Sequence, residues 1–165
     1  PCAAAAMYRR DVFLDAGGFD ESFFCYFEDV DLAFRLRLLG KRCLYVPSAK
    51  VEHIGSATTK RQSDFSVYHG HRNMVWTYVK NMPSSLFWYG LPQHVLTNVV
   101  VLLRFSLTGQ AGVIFKAKWD ALLGLKKIIE QRRLVQKNIR ISSANLKKLM
   151  AKDWFLPYFK NKNLI

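Results

Sequence analysis

Cysteine, proline, glycine and acidic side chains are all sparse in this sequence of 165 residues, and each shortage excludes something. The three cysteines, Cys2, Cys25 and Cys43, are odd in number and lack metal-ligand spacing. They therefore read as reduced thiols of a cytosolic protein, not as a disulfide framework or a zinc site. Five prolines and nine glycines without a short-period repeat exclude collagen-like, low-complexity and solenoid architectures. The chain opens Pro1-Cys2-Ala3 with no Met, no basic leader and no signal-peptide core. It reads as if it begins partway through a longer protein. Long apolar runs are missing too. Residues 86–103 hold no Asp, Glu, Lys or Arg, but Pro92, Gln93, His94, Thr97 and Asn98 interrupt them. Residues 96–103 alone fall short of the roughly 20 apolar residues a span needs. This stretch is expected to be buried or to lie at a membrane interface.

Apolar residues make up 50% of the chain and aromatics 14%, enough for a packed core. The formal net charge is +13, distributed unevenly. Residues 1–60 carry eight basic and eight acidic side chains, whereas residues 61–165 carry 17 basic and four acidic ones. Two segments with different roles are implied.

Residues 3–8 are small and apolar and are expected to form a buried strand. Residues 10–16 suggest a short helix stopped by Gly17 and Gly18. Residues 19–27 are aromatic and acidic and suggest an irregular loop. A helix over 28–39 has acids in its first turn, Arg35 and Arg37 near its end and Gly40 as its stop; its apolar positions go most of the way round, so it should be largely buried. Residues 43–46 and 49–53 are expected as short strands, with alternation turning His53 inward. A polar loop over 55–59 precedes a helical remainder: 68–80, a piece within 92–107, 115–137, and 142–150 with Ser142 as N-cap.

Glu28, Asp29 and Asp31 place three carboxylates at one helix start. Asp31 and Arg35 can pair at i, i+4. Glu28 and Asp29 have no such local partner, which leaves them free to match the helix dipole or to accept a proton from a ligand hydroxyl. His53 can serve as a metal ligand or as a hydrogen-bonded core histidine. The Asp-x-Asp of Asp29 and Asp31 falls inside the helix and is not read as a nucleotide-sugar metal motif.

Taken together, Ala3 to Arg10, Gly17 to Phe24, Glu28 to Leu36, Gly40, Tyr45-Val46-Pro47 and His53 resemble the carboxyl-terminal half of a family 2 glycosyltransferase. The resemblance is to rhamnosyltransferase-like members that build bacterial surface polysaccharides. Tyr68 to Asn73 and the basic tail are similar to that family's variable extension. The resemblance implies an α/β class: residues 1–59 as a partial GT-A (Rossmann-like) half-domain, the acceptor side, and residues 60–165 as a mostly helical basic extension. It implies inverting transfer from a nucleotide-sugar to a glycan or lipid-linked acceptor hydroxyl. Asp29 would be the general base, Glu28 and Asp31 would face the acceptor, and His53 would help hold a divalent metal, Mg or Mn, at the diphosphate. Ala3 stands where many relatives have Gly at the mouth of the acceptor side. The family's nucleotide-binding strands and metal-binding Asp-x-Asp are missing, so this chain is expected to be a fragment without transferase activity alone.

Lys126, Lys127, Arg132 and Arg133 lie among apolar residues of the tail. They suggest either a helix face on an anionic membrane, at the cytoplasmic side, or an ordinary solvated face. The competing class is a non-catalytic basic module that binds membrane or nucleic acid. No recognition-module signature supports nucleic acid, and residues 1–60 have no electrostatic footprint for it.

Overall fold

The computed structural model describes residues 3–53 and 62–150. The loop expected over 55–59 and Cys2 lie outside the described residues. A single 3-10 turn at Ala3–Ala5 precedes seven α-helices: α1 (Arg10–Asp15), α2 (Glu28–Leu38), α3 (Asp64–Asn81), α4 (Ser84–Leu107), α5 (Ala111–Leu123), α6 (Leu125–Lys137) and α7 (Ser143–Leu149). Among the described residues there is no strand.

Of the strands expected over 3–8, 43–46 and 49–53 none forms: Ala3–Ala5 is the 3-10 turn and the rest is irregular. A strand holds its shape through a ladder to a neighbour, and none of the described residues provides one. Leu44 and Tyr45 are consequently 83% and 88% exposed, although their composition suits a sheet.

The helix ends follow the glycines. Gly17 and Gly40 take φ of +80° and +74°, the left-handed conformation that glycine adopts without penalty. Gly18 N–H then returns to the Phe13 carbonyl, and Lys41 N–H to that of Leu36, each at 2.9 Å. These six-to-one closures satisfy carbonyls that α1 and α2 would otherwise leave open. At the other end, the Ser63 and Ser142 hydroxyls cap α3 and α7 by accepting from Ser66 N–H and Asn145 N–H.

Helix α3 is the central element and packs against α2, α5 and α6. Phe23, Trp76, Ala121 and Ile128 form one apolar cluster; Leu38, Met82, Leu86 and Leu146 form a second; Val67, Phe105 and Ile114 form a third. Fully burying a side chain such as Ile128 contributes about 2 kcal/mol. Helix α2 buries one stripe, Asp31, Leu32, Arg35 and Leu38, rather than most of its circumference; Val30 stays 44% exposed.

The expected helix over 115–137 is two helices divided at Gly124. A Cβ there would lie 2.4 Å from the Trp76 ring, so the indole packs directly on this backbone. The same indole N–H donates to the Ala121 carbonyl at 3.0 Å. By contrast, α4 runs unbroken for 24 residues with Pro92 inside it.

Candidate active site

The acidic pair sits at the end of an unusual loop. Phe24, Tyr26 and Phe27 all take left-handed φ, between 62° and 68°, a conformation that costs an L-residue about 1–2 kcal/mol. Such a loop persists only where its surroundings hold it. Phe23 anchors it, fully buried and edge-on to Trp76 with centroids 6.1 Å apart. Asn73 of α3, also fully buried, donates from Nδ2 to the carbonyls of Phe23, Cys25 and Tyr26 at 2.9, 2.9 and 2.7 Å. Arg72 Nη2 donates to the carbonyls of Ser22 and Phe23, and its Nε to Asn73 Oδ1 at 2.9 Å.

Phe27 then serves as the N-cap of α2 and provides no side-chain cap. Glu28 and Asp29 follow directly, at the positive end of the helix dipole. Asp29 is partly exposed; its Oδ1 accepts from Val30 N–H at 2.8 Å and its Oδ2 from Ala3 N–H at 3.0 Å. Each oxygen keeps a second lone pair for an incoming hydroxyl. Among the described residues Glu28 Oε2 is buried with no hydrogen-bond partner. Burial pushes the Glu28 carboxyl above the usual carboxylate range; its own backbone N–H opposes that, and the neighbouring Asp29 charge adds to it. An unpartnered buried acceptor beside a partly exposed carboxylate is suited to receiving a hydroxyl proton.

Asp31 is a correction to the sequence reading. Its side chain is fully buried, and its oxygens are taken up by neighbouring side chains. It accepts from Arg35 Nε at 2.8 Å, Lys80 Nζ at 2.9 Å and Asn81 Nδ2 at 2.8 Å. Lys80 also binds Asp20 at 2.7 Å, and Arg35 donates to the carbonyls of Ala16 and Gly18. Two carboxylates and two cations thus form a charge-balanced lock between the α1–α2 turn, α2 and α3. The i, i+4 pairing of Asp31 with Arg35 holds as expected.

His53 is exposed on irregular backbone, not turned inward, because the strand that would orient it does not form. Among the described residues no three His, Cys, Asp or Glu side chains gather where a metal ion could bind. These residues therefore do not fit a metal centre by themselves. Of the four basic residues singled out, Lys126, Lys127 and Arg133 are exposed on α6. Arg132 is not available to a membrane. It is half-buried, donates to the carbonyls of Val79 and Met82 at 2.7 and 2.6 Å, and lies over the Phe87 ring. A cation at the end of α3 is well placed against that helix dipole.

Sequence reasoning overlooked what Asn73, Lys80 and Asn81 do. Their signal was polar residues at i and i+7 on the apolar stripe of α3 that contains Trp76.

The chain is 37% identical over 103 residues to the N-acetylglucosaminyl-diphospho-decaprenol L-rhamnosyltransferase of Mycobacterium tuberculosis, covering 62% of this chain and 29% of that protein. It is 43% identical over 53 residues to the rhamnosyltransferase WbbL of Escherichia coli K12, covering 32% of this chain and 20% of that protein. These similarities relate the chain to rhamnosyltransferases, and so to glycosyltransferases. The chain spans less than a third of the length of these relatives. No protein-family model matches the sequence, and no solved structure matches it.

Proposed function

We propose that this chain forms the acceptor side of an inverting glycosyltransferase of family 2, which moves a sugar from a nucleotide-sugar to a hydroxyl of a glycan or lipid-linked acceptor. The observation that carries the reading is the Glu28–Asp29 pair opening α2, with Asp29 partly exposed and Glu28 Oε2 buried and unpartnered among the described residues. Asp29 removes the acceptor proton as that oxygen attacks the anomeric carbon, and the nucleoside diphosphate leaves from the opposite face with the bonding electrons. Glu28 accepts a hydrogen bond from the same acceptor and orients it. The relatives support the chemistry class, and the name of one specifies a diphospho-decaprenol-linked acceptor.

On this reading the fold is the helical edge of a GT-A type α/β domain. Exposed, sheet-like segments such as Leu44 to Val46 support that assignment, since they are built to pair with strands outside these residues. The donor-binding residues also lie outside this chain, which is then inactive alone. The divalent metal expected at the diphosphate would draw its ligands from there, with His53 as a candidate among the described residues. An acceptor carried on a lipid would suit an enzyme working at a membrane surface, which this reading puts on the cytoplasmic side.

The test is a polypeptide that extends this chain to the length of its relatives, assayed with a nucleotide-sugar and a lipid-linked acceptor. Asp29→Asn should lower kcat by about 10²–10⁴-fold without shifting the thermal unfolding midpoint. Glu28→Gln should act mainly on the KM for acceptor. Full turnover in Asp29→Asn would overturn the assignment.

A further inference from the structure

We propose that the outer face of α4, continued by that of α5, docks on an anionic bilayer and lies in its interface without crossing it. The inference moves membrane contact away from the basic face of α6. It concerns lipid binding alone, so it can fail while sugar transfer holds, and the reverse.

By length and composition α4 is apolar enough to cross a membrane, and only 6% of its most apolar stretch is buried. Its two sides differ sharply. Outward lie Trp88, Val95, Leu96, Val99, Leu103 and Leu107, between 46% and 86% exposed and recurring at helical spacing. Inward, the His94 ring stacks on Tyr78 at 4.0 Å, and Asn98 Oδ1 accepts from Lys118 Nζ at 2.5 Å. Lys118 also donates to the His71 carbonyl of α3 at 3.0 Å. A transmembrane α4 would carry this polar attachment, with its ammonium, into hydrocarbon, where ionisable groups are costly. Lying flat, it keeps those groups against protein and offers only its apolar side to lipid.

Helix α5 extends the surface. Lys118 points toward α4. At 100° per residue, Phe115, Trp119 and Leu122 follow on one flank beside it, the buried Ile114, Ala117 and Ala121 on the other, and Lys116 and Asp120 on the face opposite. Those three apolar side chains are 55–62% exposed. Aromatic rings suit the headgroup level.

Charge selects the occupant. No Asp or Glu occurs between Asp64 and Asp120, so α4 carries no carboxylate at all. Cations stand at both ends of its face: Arg104 near the C-terminal end, and Lys147 of α7 over the Tyr89 ring at 3.9 Å near the other. An apolar face with cationic ends and no acid complements anionic headgroups over an acyl boundary.

The experiment is flotation of the 165-residue chain with vesicles of phosphatidylcholine alone or with about 30% phosphatidylglycerol. Binding should favour the anionic vesicles, and salt at about 0.5 M should weaken it several-fold without abolishing it. Val95→Glu with Leu103→Glu, both on exposed positions, should reduce binding at least about tenfold, while Lys126→Glu with Arg133→Glu on α6 should cost about threefold or less. Brominated lipids should quench Trp88 and Trp119, most strongly when the bromine sits near the headgroups. Four results would overturn the inference: no binding; loss of binding with the α6 pair but not the α4 pair; strongest quenching from bromine at the bilayer centre; or a chain that ignores vesicles but self-associates through the same face.

Discussion

Three acids within four residues of one helix have different fates, and single substitutions should separate them. Asp31 is locked among Arg35, Lys80 and Asn81 with no exposure. Asp31→Asn leaves two buried cations under-compensated and should destabilise the chain by about 3–5 kcal/mol in urea unfolding. Glu28→Gln removes a carboxyl that burial already disfavours, so stability at neutral pH should hold or rise slightly. Stability should also depend on pH through two histidines. Burial holds His71 and His94 down to about 4, with Lys118 adding to both and Arg104 to His71. Both imidazoles are neutral when folded and charge more readily when unfolded. Their contribution is therefore complete above about 6.5 and is lost as pH falls toward about 4. Asp20 acts in the same direction at lower pH. Burial opposes its charge, but the Lys80 ammonium and the Ser22 N–H outweigh it, so its stabilising contribution is lost as pH falls through its lowered pKa. His94→Phe keeps a ring against Tyr78 and should flatten the slope of the unfolding midpoint between about pH 6.5 and 4.

At the scale of elements, the helix ends were legible and the strands were not. Gly17, Gly40 and Ser142 act locally, within one turn, so sequence alone places them. Strands depend on a partner at any distance along the chain, and residues 43–53 have none among the described residues. The division of α5 from α6 was likewise invisible; it falls where Trp76, distant in sequence, packs on Gly124. That contact gives a clean test. Gly124→Ala places a methyl into the indole and should destabilise by about 1–3 kcal/mol, read as a lower urea midpoint at unchanged slope. The acidic pair was singled out by its place at a helix start and by the family resemblance. The clamp that presents it was not: the place of Asn73 on the apolar stripe of α3 marks a polar residue facing the core, but not the three carbonyls, distant in sequence, to which it donates.

Across the whole molecule, the neutral and basic regions meet in a shared core. Phe23 packs with Trp76, Asp31 binds Lys80, and Arg140 N–H donates to the Leu38 carbonyl at 2.8 Å. The boundary in charge is thus not a boundary in packing, and near-UV and far-UV signals should unfold in one coincident transition. Asn73→Ala should shift that transition as a unit, by about 2–4 kcal/mol, because it strips three carbonyls of their donor and releases a strained loop.

Helix α3 grips the acidic loop through Asn73 and meets α4 and α5 through Tyr78, His71 and Trp76. The carboxylates and the oily flank are therefore mounted on one rod. Given the proposed docking and the proposed transfer, side-chain packing sets their stand-off, and an acceptor tethered to lipid would be selected for how far its hydroxyl projects above the headgroups.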